Sequence, residues 1–313
     1  MLSRLKYAAL AGALAISVAA AGEAKADVYG YAYSQFSNVT LNYASGGIVN
    51  LADFSYLSFT DSVGGTAYLS NYGTVAAPTA TDDFAYDRGV VLNPIAGNSL
   101  STSVCVQNGA ACAGAPSGSD FARAEGTISG ALVTGVGRPA GVTSTVLGEA
   151  RVDGTTIGRA TSTNTTQGGV QFEMIMGGTG TVDLELSLDF FIDLLVAHEI
   201  DNGIQDASAG SQFFVTILGG PTPIVLAPAE LNIGVAISEP FTSASFSDSG
   251  SLVIPITLQR GVRYNFTINH TATTVVNPAV VPVPEPATVG MLGAGLAILG
   301  FGAIRRRRDG KAS

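Results

Sequence analysis

The chain has 313 residues, of which only 12% are charged, with 15 Lys and Arg against 24 Asp and Glu, two His, two Cys and no Trp. Its cations crowd the two ends. The stretch from Asp27 to Pro286 holds seven Arg and no Lys against 22 acidic residues, a net −15 that repels phosphate backbones and excludes nucleic acid as a partner, while 46% hydrophobic residues exclude wholesale disorder.

At the N-terminus, Arg4 and Lys6 precede an apolar run over 7–21, followed by Ala24-Lys25-Ala26. A positive start, a short apolar core and a small-residue A-x-A site predict a signal peptide over residues 1–26, cut by signal peptidase between Ala26 and Asp27. The apolar run is short for a hydrocarbon core of roughly 30 Å.

From Asp27 to 276 the pattern is that of strands. Tyr29, Tyr31 and Tyr33 share one face of a first strand that runs on through Val39, Leu41 and Tyr43. Weaker strand patterns cover 54–60, 121–136, 146–157, 170–176 and 213–218. The clearest alternation is 181–197, where Val182, Leu184, Leu186, Leu188, Phe190, Ile192, Leu194 and Val196 alternate with Asp183, Glu185, Ser187, Asp189 and Asp193. A helix there would stack Glu185, Asp189 and Asp193 at i, i+4 spacing, like charge on like charge. A long strand is the better reading, bent or bulged near Phe191. Further on, Leu252, Ile254, Ile256 and Leu258 lead to Gln259-Arg260-Gly261, and Val262, Tyr264, Phe266 and Ile268 lead away, which predicts a hairpin. Pro255 lacks a ladder donor and places the first of these strands at an edge or bulge. With no long amphipathic helix and no fixed repeat, residues 27–276 are expected to form one all-β ectodomain, an antiparallel β-sandwich that is jelly-roll-like in class.

Chemistry-bearing residues are sparse in this body. Cys105 and Cys112, an even pair in an exported chain, predict a disulfide. His198 and His270 are the only imidazoles, and neither sits in a G-x-S-x-G or H-E-x-x-H setting, so both are expected to be structural. Asp183 and Glu185 would lie about 7 Å apart on one strand face, within reach of glycosidase geometry. With Asp189 and Asp193 they read more simply as a solvated strand surface that also resists edge-to-edge pairing. Asp201-Asn202-Gly203 with Asp206, and Asp82-Asp83 with Asp87, are the candidate Ca²⁺ loops, and neither follows the EF-hand pattern. The Tyr29/Tyr31/Tyr33 stripe and Tyr56 are the aromatic platforms a carbohydrate would want, although such stripes more commonly serve sheet packing. The expectation is a body that is not an enzyme and holds no cofactor or metal. The alternatives are a secreted carbohydrate-active hydrolase or a Ca²⁺-dependent adhesin.

Residues 277–286 form a Pro-rich linker with prolines at 278, 282, 284 and 286. Residues 287–304 carry no charge, and at about 1.5 Å per residue a helix of that length spans a bilayer. Arg305, Arg306, Arg307 and Arg308 follow, and the positive-inside rule puts this tail, 305–313, in the cytoplasm and the body outside, a type I topology. The order Val283-Pro284-Glu285-Pro286-Ala287-Thr288, then a Gly/Leu/Ala helix, then the Arg cluster resembles the PEP-CTERM sorting signal of Gram-negative bacteria that make exopolysaccharide and biofilm. The resemblance implies that Pro284, Glu285 and Pro286 are recognised by an exosortase. It also implies a transient inner-membrane anchor, delivery to the cell surface or extracellular matrix, and association with extracellular polysaccharide. Alternating prolines suit this role, because they hold the segment extended and free of helix.

Overall fold

The computed structural model describes residues 27–70, 73–76, 80–94, 99–107, 110–112, 120–153, 160–198, 206–239 and 242–277. The predicted signal peptide, the linker beyond Asn277, the 287–304 apolar run and the basic tail lie outside the described residues. Among those described, no helix is long and apolar enough to cross a membrane.

In chain order the strands are β1 (Asp27–Tyr43), β2 (Phe54–Leu69), β3 (Gly73–Ala76), β4 (Ala80–Asp87), β5 (Val90–Asn93), β6 (Ser99–Gln107), β7 (Ala110–Ala111), β8 (Phe121–Ser129), β9 (Val142–Asp153), β10 (Ala160–Met176), β11 (Thr181–His198), β12 (Asp206–Leu218), β13 (Ile224–Leu226), β14 (Ile233–Ile237), β15 (Ser243–Gln259) and β16 (Arg263–Asn277). Sheet I runs β15-β11-β1-β9-β8-β6-β7. Sheet II runs β13-β12-β16-β10-β2-β4-β5, with β14 also on β12 and β3 on β2. The ladders are antiparallel, and the inward residues of both sheets merge into one apolar core. The expected antiparallel sandwich is what forms, because period-two sequences bury one face only when a second sheet covers it.

The strand alternation is read correctly, but three connections differ from expectation. First, β11 keeps its phase through Phe191, which points outward and is 40% exposed. The irregularity lies in the partner strand. Between Ser37 and Thr40, β1 uses one more residue than β11 does between Asp189 and Ser187. Asn38 takes the extra position at φ +53, a left-handed conformation that Asn tolerates, and its amide donates to Asp189 Oδ2 at 2.7 Å. This bulge inverts the phase of β1: Tyr29, Tyr31 and Tyr33 face out, whereas Val39 and Leu41 face the core.

Second, the two strands around Arg260-Gly261 do not pair as a hairpin. β15 pairs with β11 in sheet I, and β16 pairs with β10 and β12 in sheet II. The turn crosses the sandwich, so that Ile254, Ile256 and Leu258 join the core from one sheet and Tyr264, Phe266 and Ile268 from the other. The 177–180 turn between β10 and β11 makes the same crossing, and the two turns are bonded together. Arg260 N donates to Gly180 O at 2.8 Å, Gly261 N to Met176 O at 2.9 Å, and Arg260 Nη1 to Gly177 O at 2.8 Å. Pro255 does lie on an edge strand, since β15 borders sheet I. The acidic row of β11 therefore sits one strand inside the edge and does not guard it.

Third, the strand pattern over 121–136 stops at Ser129. Gly130 turns the chain at φ +84, and residues 131–136 pack as a loop, with Ala131, Leu132, Val133 and Val136 buried. The loop is tied to its neighbours through Leu41 N to Leu132 O and Leu51 N to Thr134 O, both 2.9 Å. A Cβ on Gly130 would lie 2.1 Å from Gly141 O. Gly130→Ala therefore combines left-handed strain with a backbone clash. It is expected to cost at least about 1–3 kcal/mol, read as a Tm lowered by several degrees in thermal unfolding of the full chain. An unchanged Tm would show that this turn relaxes without cost.

Candidate functional site

Each of the predicted site residues that is described has a definite place. Cys105 and Cys112 are joined by a disulfide with Cα atoms 5.3 Å apart, at the β6–β7 border of sheet I. Asp183 and Glu185 lie on the outer face of β11, where Thr257 Oγ1 donates to Asp183 at 2.8 Å. Asp183 is exposed there and Glu185 partly so. Asp82, Asp83 and Asp87 lie on strand β4, not on a loop. Of the other candidate Ca²⁺ loop, Asp201, Asn202 and Gly203 lie outside the described residues, and Asp206 opens β12. Among the described residues no three His, Cys, Asp or Glu side chains gather to hold a metal ion.

Both histidines are buried. His198 closes β11 with Nδ1 3.5 Å from Glu239 O, and its Nε2 has no hydrogen-bond partner among the described residues. His270 sits between the sheets. Its Nε2 is 2.8 Å from Ser34 Oγ of β1 and its Nδ1 3.0 Å from Ser144 Oγ of β9, while Ser211 Oγ of β12 donates to Ser34 Oγ at 2.9 Å. The imidazole also lies against Phe36, with centroids 4.0 Å apart. Burial alone drives its pKa down to about 3, so the ring is neutral and bridges hydroxyls. Ser34, Ser144 and Ser211 went unnoticed in the sequence because each occupies one inward position in an otherwise apolar phase. Only the packing of the two sheets brings them to one point.

A second buried polar pair, also missed, joins Arg138 of the 130–141 loop to Asp61 of β2. Arg138 Nη1 lies 2.7 Å from Asp61 Oδ2, and both side chains are almost fully shielded. These two groups hold the fold together. Neither faces solvent where a ligand could reach it.

The accessible chemistry gathers on the outer face of sheet I. Register places Tyr31 between Leu195 and Glu149, Tyr33 between Asp193 and Leu147, and Tyr29 between Ala197 and Arg151. Further out, Glu149 stands beside Arg123 and Leu147 beside Glu125. Tyr29 Oη donates to Glu149 Oε1 at 2.9 Å. Partial burial, and then that carboxylate, push the Tyr29 phenol well above its ordinary range. Tyr31 is raised likewise, first by burial and then by the negative charge of Asp193. Arg123 neutralises the far side, with Nε 2.8 Å from Glu125 Oε1 and Nη1 3.6 Å from Glu149 Oε2. Its hydrogen bond holds the Glu125 carboxyl below the usual range. On the near side, Tyr33 and Phe191 lie 5.9 Å apart, and Asn38 and Ser251 hydrogen-bond Asp189 and lower its pKa. Tyr56 belongs to sheet II instead, beneath the Arg263 guanidinium at 5.1 Å, so the structure separates it from the tyrosine stripe.

Comparison with known proteins adds one finding. Residues 282–308 match the PEP-CTERM protein-sorting motif, the segment that holds Pro284, Glu285, Pro286 and the Arg305 to Arg308 cluster. No curated protein matches the chain. The matched motif marks this chain as an exported substrate of an exosortase, sorted to the cell surface.

Proposed function

We propose that this exported, exosortase-sorted chain is a non-enzymatic protein of the cell surface or extracellular matrix, with a sandwich body that associates with extracellular polysaccharide. The observation that carries the reading is the sorting motif at 282–308 on a chain whose body is one antiparallel sandwich. The distribution of polar groups supports it. The imidazole with its serines and the Arg138–Asp61 pair are sealed in the core, and the exposed carboxylates lie on an open sheet face. Export runs through an inner-membrane intermediate, with 287–304 spanning the bilayer and the four arginines in the cytoplasm. Exosortase then acts at Pro284-Glu285-Pro286 and removes the anchor.

Intact-mass measurement of the protein recovered from its producing cells tests this. The expected product begins at Asp27 and lacks residues 305–308. A full-length C-terminus retained in the inner membrane would overturn the processing step and leave a plain type I anchor. A secreted hydrolase is the competing reading, and Asp183→Asn with Glu185→Gln would abolish glycan turnover if that reading held. Unchanged turnover of any glycan degraded by the native protein would remove this pair as its catalytic carboxylates.

A further inference from the structure

We propose that the outer face of β1, β11 and β15 binds a polysaccharide of cationic amino sugars, with the tyrosine row and Phe191 taking the sugar rings and Asp193 taking the ammonium groups. The inference rests on the polysaccharide association proposed above and names its chemistry and its surface.

Four observations converge on it. The tyrosines stand at every second residue of one strand, about 7 Å apart, on a sheet face where they are partly buried and partly accessible. Such a row offers apolar ring faces to the C–H faces of sugars and electron-rich faces to cations. Asp193 lies directly opposite Tyr33, beside Tyr31 and two residues from Phe191, and it forms no ion pair with a described residue. Glu149 and Glu125, by contrast, already have Arg123, and Asp189 has Asn38 and Ser251. One uncompensated carboxylate among aromatic rings is a recognition element for an alkylammonium group.

The third observation is charge. The body is net −15 and Lys-free, which opposes polyanionic polymers and attracts polycations. The fourth is the neighbouring strand. Ser243, Ser245, Ser247, Ser249 and Ser251 all project outward beside Ala197, Leu195, Asp193, Phe191 and Asp189, and all are exposed. This row of hydroxyls can donate to and accept from sugar hydroxyls along the same axis as the tyrosines. A continuous strand face suits an extended ribbon of rings, whereas a basic peptide is recognised through pockets for alternate side chains.

Calorimetric titration of the purified full chain at low salt provides the test, with a glucosamine hexamer, its fully N-acetylated counterpart, a galacturonate hexamer and hexalysine as probes. The glucosamine hexamer is expected to bind at least about tenfold more tightly than each of the others. Asp193→Asn is expected to weaken it by about tenfold or more with an unchanged Tm, because the carboxylate bonds to none of the described residues, and Tyr31→Ala is expected to weaken it comparably. Equal binding of the acetylated hexamer would overturn the ammonium assignment, and equal binding of hexalysine would reduce the face to a general cation exchanger. Preference for galacturonate, absence of glucosamine binding, or unaltered affinity in Asp193→Asn would each overturn the proposal. None of these results touches the mature ends or the cell-surface location, so the failure of this inference is distinguishable from failure of the function proposed above.

Discussion

Replacing Arg138 with Met is expected to destabilise the sandwich by about 3–5 kcal/mol, the usual cost of stranding one member of a buried ion pair. The side chains of Arg138 and Asp61 are 1% and 4% exposed, and Asp61 lies at a cavity wall shared with Phe54, Leu57, Phe59, Leu132 and Phe172. Without the guanidinium, the carboxylate at 2.7 Å loses its principal counter-charge in apolar surroundings. Asp61→Leu alone is expected to be similarly costly, since it strands the cation instead. The double variant Asp61→Leu/Arg138→Met should recover most of the loss, because apolar residues of similar volume replace a buried pair at little net cost. Urea unfolding of the four proteins closes the cycle. A single-variant loss below about 1 kcal/mol would show that the pair is solvated in solution and that the 130–141 loop opens readily.

The second large effect follows from His270 and appears in acid. Its folded pKa of about 3 lies below the ordinary 6.5, so between these values the unfolded chain binds a proton that the folded chain refuses. Stability is therefore full above about pH 6.5 and falls as the pH drops. The slope is about 1.4 kcal/mol per pH unit, for a total of about 5 kcal/mol by pH 3. Against the 5–15 kcal/mol typical of a folded domain this is a large share. Glu125 and Asp189, whose pKa values are lowered by hydrogen bonds, pull in the same direction but only once the pH passes below the ordinary carboxylate range. Between pH 6.5 and 4.5 these two carboxylates do not contribute, and substitution separates His270 from the chain's other imidazole, His198. His270→Gln keeps hydrogen-bonding capacity toward Ser34 and Ser144 and cannot titrate. Thermal unfolding across that window should show the native Tm falling by roughly 5–10 °C and the variant staying nearly level. Equal slopes in the two proteins would assign the acid sensitivity to other groups.

His270 and Arg138 differ in how far the sequence reveals their surroundings. His270 falls in the apolar phase of its strand, beside Ile268, so its burial is legible from alternation alone. Its serine partners are not, because Ser34, Ser144 and Ser211 come from three other strands separated from it by up to 236 residues. Arg138 is less legible still. It sits in Gly137-Arg138-Pro139, a sequence that reads as an exposed turn, and only the folding of the loop over the core brings it to Asp61. The crossing at Arg260-Gly261 shows the same limit. Two alternating strands joined by a tight turn look like a hairpin, and alternation specifies which side chains are buried without specifying which strand lies alongside.

Sequence by itself determined the all-β class, the long strand at 181–197, the placing of Pro255 at an edge or bulge, the disulfide pair and the sorting motif over 283–308. Each is a local signal, carried by side-chain period, by one missing donor or by a short contiguous motif. The tertiary structure alone decided that the strands on either side of Arg260 belong to opposite sheets, that the bulge falls at Asn38 and not at Phe191, and that two buried polar sites tie distant segments together. It also decided that Tyr29, Tyr31 and Tyr33 share the outer face of sheet I with Asp193. Those outcomes depend on which sheet covers which, a choice made by the burial of two apolar faces against each other and written in no single segment.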